Sequence, residues 1–241
     1  MQYDWIAALA YIATLSVLTA IGRFIAFKVP ELQHMRELNE AADAPKLARK
    51  SFRDWVKVNG RAGLALNLLF YAAVLPFCVG FTALPWWRHL VDIVAILMIF
   101  DFMYYLTHRF LFHGKPLRKV HALHHQARTP TYIDSLFVHP VETTIGLGLY
   151  LASIPIVALI WGAPLNLFSA AVATLIFTQV NTINHVYTSL PARFPFNVVD
   201  YVTGVHRAHH VDMNQGNFAT LTMLYDWMFG TYEKPVHRET A

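Results

Sequence analysis

The chain has 241 residues, of which 56% are hydrophobic and only 14% charged, a balance too apolar for an ordinary water-soluble domain. Its net charge of +4 and pI near 9.2 rest on Lys and Arg that are not interleaved with aromatics, which excludes a nucleic-acid-binding stripe and suits contact with anionic lipid headgroups. The single cysteine, Cys78, excludes an internal disulfide.

A helix crossing a hydrocarbon layer of about 30 Å needs roughly 17 to 25 apolar residues, and five runs qualify. The first, Trp5 to Phe27, is broken only by Arg23, close enough to its end to reach the interface. It lacks a basic leader and a small-residue cleavage site, so it is read as a retained span and not a signal peptide. In the charged stretch that follows, Leu32, Met35 and Leu38, then Leu47, Phe52 and Trp55, recur at helical spacing. Amphipathic helices on the membrane surface are expected there, with a solvated linker as the alternative. Ala62 to Leu84 and Leu90 to Leu106 flank Trp86 and Trp87, an aromatic pair suited to the membrane surface. Thr143 to Trp161 and Leu165 to Asn181 flank a tight turn built on Gly162 and Pro164. The expected fold class is an all-α integral membrane bundle of about five transmembrane helices with a histidine-rich helical cap. Its expected divisions are residues 1–61, a helix plus amphipathic segment, and 62–241, the main domain.

Cytoplasmic loops of membrane proteins carry the excess of Lys and Arg. Residues 28–61 hold eight, residues 107–140 hold five, the tail after His185 holds four, and Arg88 stands alone opposite them. With five spans, all the basic segments fall on one side, so a multi-pass protein with its clustered histidines facing the cytosol is expected.

Those histidines are the strongest signal. The pattern HxxHH occurs as "HALHH" and again as "HRAHH", where 13 histidines in 241 residues predict about 0.04 occurrences by chance. Nine of the thirteen fall in four patches: His108 and His113; His121, His124 and His125; His185; and His206, His209 and His210. On a helix, positions i, i+3 and i+4 share a face, so each HxxHH aims its imidazoles one way, an arrangement that suits iron, zinc, copper or nickel. His108 and His113 would diverge by about 140° on an ideal helix, so they converge only if the helix ends between them. Nine imidazoles exceed the needs of one ion and suit two at four or five each. His34, His89 and His237 have no partners at useful spacing and are assigned to surface or interface. His139 is open between a helix cap and a substrate contact.

Ligating imidazoles need carboxylates or carbonyls behind them. Asp101, an acid inside a span, is the first candidate, followed by Glu142, Asp212 and Asp226. For Asp226 a helix cap or interface anchor is an equal alternative.

In order and spacing, "DFMYYLTHRFLFH", "HALHH", "HPVE", Asn184–His185, "HRAHH" and "FGTY" resemble the fatty acid hydroxylase and sterol desaturase superfamily of membrane oxygenases, from about Asp101 to Tyr232. The resemblance implies a non-haem di-iron centre held by the nine histidines, with zinc as the other metal to consider, and O2 as cosubstrate. It implies hydroxylation or desaturation of a lipid; Asp101, Glu142 and Asp226 are the acids expected to act at such a site. A carotenoid ring hydroxylase or ketolase, or a membrane metal transporter, is the alternative. No haem-attachment motif or GxGxxG is present. The resemblance also implies a separate electron donor, a cytochrome b-type protein or a ferredoxin with its reductase; no nucleic acid is expected. The apolar wall facing the metals is expected to include Phe102, Tyr105 and Phe177. The chain departs from the family pattern at Asn217, Phe218 and Ala219, at Tyr225 and Asp226, and at Ser189, which leaves the substrate subclass open.

Overall fold

The computed structural model describes residues 1–236, so the assignment of His237 lies outside the described residues. Its long helices are α1 (Trp5–Ala26), α2 (Pro30–Ala48), α3 (Lys50–Ala73), α5 (Trp86–Thr107), α7 (Pro140–Trp161), α8 (Leu167–Ile183) and α9 (Phe196–Val211). Short helices α4 (Leu75–Cys78), α6 (Arg118–His121) and α10 (Leu224–Met228) fill the connections, and β1 (Val79–Gly80) pairs in parallel with β2 (Leu165–Asn166). Local chemistry sets the boundaries. Asp4 caps α1 by accepting from the Ala7 amide at 2.9 Å. His139 caps α7 through its ring, with Pro140 and Glu142 in the first turn. α7 stops at Gly162, whose φ of 64° is the left-handed conformation that glycine adopts without strain.

Three helices are long and apolar enough to cross a membrane: Trp5–Ala26, Trp86–Phe112 and Pro140–Trp161. The expected run Ala62 to Leu84 is not one helix. α3 begins twelve residues earlier, at Lys50, with a charged first half, and breaks at Val74, because Pro76 has no amide to continue the ladder. α3 also runs straight through the expected division at residues 61 and 62. The last expected span is the 17-residue α8, apolar but shorter.

These helices nonetheless run between two common ends. At one end Asp4 donates to the Pro76 carbonyl, Tyr3 to that of Ala72 and Asn166 to that of Thr82, beside the β1–β2 pair. At the other end lie the start of α7, the ends of α5 and α8, and the histidines. Between them sits a core of Tyr11, Phe100, Tyr150, Ile154 and Phe177. Polar groups there are paired, as a low-dielectric interior requires. Thr174 donates to the Ala170 carbonyl, so the hydroxyls of Tyr11 and Tyr150, each 2.6 Å away, both donate to Thr174 and tie α1 and α7 to α8.

Candidate metal centre

The nine histidines converge in two groups, His108, His113, His121, His125 and His209 in one and His124, His185, His206 and His210 in the other. Within each group the ligand nitrogens lie within 4.8 Å of one another. Each HxxHH is shared between the groups. "HRAHH" lies wholly on α9, but "HALHH" begins at the end of α6 and finishes in a 3₁₀ turn, His124–Gln126. His108 and His113 meet in a way not anticipated: the helix widens instead of ending. A π-helical turn, His108–Phe112, closes with the His113 amide donating to the His108 carbonyl at 2.9 Å. The extra residue in that turn returns position i+5 to the face of i, and the two rings stand 4.9 Å apart.

Backbone carbonyls fix the tautomers. Nδ1 of His108 lies 2.7 Å from the Phe218 carbonyl, Nδ1 of His113 2.7 Å from that of Met213, and Nδ1 of His209 2.8 Å from that of Gly216. His185 does the same with Asn181 at 3.1 Å. A carbonyl only accepts, so each of these rings carries its proton on Nδ1 and turns a bare Nε2 inward. Burial pushes His113 and His185 down to about 4 and His209 to about 3, so these imidazoles are neutral at physiological pH. The inward atoms crowd together: His113 Nε2 stands 3.2 Å from that of His209, and His185 Nε2 3.1 Å from that of His124. Between His113 and His209 there is no proton to share, so two lone pairs face each other. A cation relieves that repulsion, and neutral imidazole nitrogens are the donor set that suits a first-row transition metal. The residues present fit a pair of such ions.

The acidic candidates divide. Glu142 Oε1 stands 2.9 Å from His121 Nδ1, the position of a carboxylate that orients a ligand. Glu142→Gln is expected to weaken metal binding at the five-histidine group by about 10- to 100-fold, read by metal titration of the purified protein. Asp101 and Asp226 touch no histidine. Asp226 accepts from the amides of Phe218 and Ala219 and from the Thr231 hydroxyl, and Asp101 from the amides of Thr220, Leu221 and Thr222. Together they shape the segment 218–222, whose first carbonyl holds His108. Asp212 accepts from Asn214 in the turn after α9. His89 contacts Ser169 at the far end, 2.7 Å away.

A cavity of about 210 Å³ opens onto His108, His124, His185 and His206. Its apolar wall is Phe100, Tyr104, Leu147 and Phe177. Phe177 is as expected, but Phe102 and Tyr105 point elsewhere: Phe102 packs on Tyr225, and Tyr105 stacks on Phe229 at 5.2 Å and bonds Thr231. The correct face was available, since Tyr104 and Phe100 precede His108 by one and two helical turns. Asn59 and Asn181, which also line the cavity, and the carbonyl anchors Met213 and Gly216 carried no motif; Phe218 stood out only as a departure from the family pattern.

The fatty acid hydroxylase family model matches residues 93–231, more than half of the chain. The chain belongs to the fatty acid hydroxylase family. It is 28% identical over 153 residues to methylsterol monooxygenase 1 of Rattus norvegicus, covering 61% of this chain and 48% of that protein. It is 26% identical over 180 residues to Protein CER1-like 2 of Arabidopsis thaliana, covering 71% of this chain and 29% of that one. Against the very-long-chain aldehyde decarbonylase CER1 of Arabidopsis thaliana it is 26% identical over 172 residues, covering 64% of this chain and 27% of the relative. The chain thus spans about half the length of the first relative and under a third of the other two. No solved structure matches it.

Proposed function

We propose that this member of the fatty acid hydroxylase family is a membrane-bound oxidoreductase that hydroxylates or desaturates a lipid with dioxygen at a pair of iron ions. The observation that carries this reading is the apolar cavity opening onto both histidine groups. The ions would supply activation of dioxygen and the one-electron steps that an unactivated C–H bond requires. The chain's own residues do the rest. Phe100, Tyr104, Leu147 and Phe177 hold an acyl or ring carbon against the histidines and exclude water. Glu142 stands beside His121, and the Phe218 carbonyl keeps the His108 lone pair aimed inward. Names of relatives specify a methylsterol in one case and a very-long-chain aldehyde in another, which supports an apolar lipid.

In this reading the catalytic region is not separable at residues 61 and 62, which α3 crosses; the apolar helices span the bilayer with the histidine end toward the cytosol, and a separate electron donor docks there. A transporter fits less well, because the liganding groups crowd one end and do not line a path through the spans.

Comparing total lipid extracts with and without expression tests the reading: a gain of one oxygen or a loss of two hydrogens in one lipid class is expected. No such product, or less than one ion per chain in metal-replete purified protein, sinks it. A second expectation concerns cavity size. A Cβ at Gly146 would lie 3.2 Å from Tyr104 Cε2, so a larger side chain pushes that ring into the cavity. Gly146→Val is expected to lower kcat/KM by about tenfold, a cost near 1.4 kcal/mol, while leaving metal content unchanged.

A further inference from the structure

The amphipathic segment after the first span was expected to lie on the membrane or serve as a linker. Its α2 instead buries polar groups, Asn39 and Asp43, each 5% exposed. With Lys46 they recur at i, i+4 and i+7, one face of the helix. Lys46 bonds Asp134 and Thr131, and Thr131 bonds Asp43, so this face grips the loop whose Ser135 and Leu136 line the cavity.

Asn39 does something more specific. Its Oδ1 accepts from the amides of Tyr187 at 2.8 Å and Tyr132 at 3.0 Å, while Nδ2 donates to the carbonyls of Tyr187 at 2.9 Å and Met35 at 2.7 Å. All four hydrogen-bonding positions of the amide are used, and only one orientation of it satisfies two donors and two carbonyls. Tyr187 is therefore clasped on both sides of its backbone, two residues after His185, in a turn outside regular helix. His185 in turn stands 3.1 Å from His124 and 3.0 Å from His206, nitrogen to nitrogen, and so sits in the middle of the four-histidine group. Asn39 lies outside the matched family region 93–231.

We propose that Asn39 is a positioning residue for the four-histidine group: it fixes the Tyr187 backbone, and through it the His185 turn, against the cavity wall at Tyr132. This rests on the metal-pair reading above. Removing the amide frees the turn that carries His185, while the five-histidine group, none of whose ligands lies in that turn, keeps its geometry.

The test is anaerobic titration of full-length, metal-stripped protein in detergent with Fe(II), and with Co(II) as a spectroscopic probe. His206→Ala identifies the binding step that belongs to the four-histidine group, and His113→Ala the other. Asn39→Ala is expected to raise the Kd of the four-histidine step tenfold or more and leave the five-histidine step within about twofold, the range seen when groups behind a ligand are removed. Asn39→Asp keeps both acceptor bonds but sets a carboxylate oxygen against the Tyr187 and Met35 carbonyls, so it is expected to weaken the same step and to spare the other. Should Asn39→Ala fail to fold, Asn39→Asp is judged by the same selectivity. Two unchanged steps, or equal weakening of both, would overturn the proposal. A wild-type protein with no second step overturns the metal-pair reading and this one together; a wild type with two steps that the variants match overturns this one alone.

Discussion

Gly216→Ala is expected to destabilise the protein by about 3 kcal/mol and to weaken the five-histidine group by about 10- to 100-fold. Gly216 does not need a special backbone angle; it needs room. A Cβ there would lie 1.7 Å from the Thr231 carbonyl oxygen, far inside the 3.0 Å that real Cβ atoms respect. That oxygen also accepts from the Asn217 amide at 2.9 Å, so the two strands of chain cannot part without losing the bond. The Gly216 carbonyl is meanwhile the acceptor that sets the His209 tautomer. One methyl group therefore strikes the seat of the "FGTY" segment and a member of the five-histidine group together. Thermal unfolding in detergent and metal analysis check it. A variant with two ions and an unchanged midpoint would show that the 216–231 contact does not position His209.

Asp101→Ala is expected to cost about 3 to 5 kcal/mol by leaving buried donors unsatisfied. The carboxylate is fully buried. Its Oδ1 accepts from the amides of Thr220 and Leu221, and Oδ2 from the amide and hydroxyl of Thr222. Asp101→Asn keeps the first pair and loses the second, because its NH2 would face donors, so about half the loss is expected. Since Asp101 touches no ligand, the folded fraction of Asp101→Asn should bind metal within a few-fold of wild type. A stable Asp101→Asn protein that cannot hold metal would show that segment 218–222 transmits the change to His108.

The histidines were legible because imidazole side chains at fixed spacing are visible in sequence and rarely accumulate without cause. Their convergence at one end of the bundle followed from where they sat relative to the apolar runs. What supports them was mostly invisible. Met213, Gly216 and Phe218 act through backbone carbonyls, which every residue has, so no residue type announces them. The π turn at His108–Phe112 hid because i+5 spacing reads as divergence on a regular helix. Ala62 to Leu84 misled because its apolar run continues past Val74, and hydropathy does not register the hydrogen bond that Pro76 withholds. Phe102 and Tyr105 share the aromatic character of Tyr104 and Phe100, but the helical phase relative to His108 selects the latter pair for the cavity. Asn39 sits among charged residues with no pattern of its own, and only the meeting of α2 with residue 187 gives it meaning.

The crossing of the two HxxHH patterns between the groups bears on how the protein comes into being. "HALHH" sends His121 and His125 to one group and His124 to the other, while "HRAHH" sends His209 to the first and His206 and His210 to the second. Neither histidine group is complete in a nascent chain that has reached only the end of α8: the five-histidine group then lacks His209, and the four-histidine group has only His124. Under the metal-pair proposal, full capture would wait until α9 has been synthesised and docked.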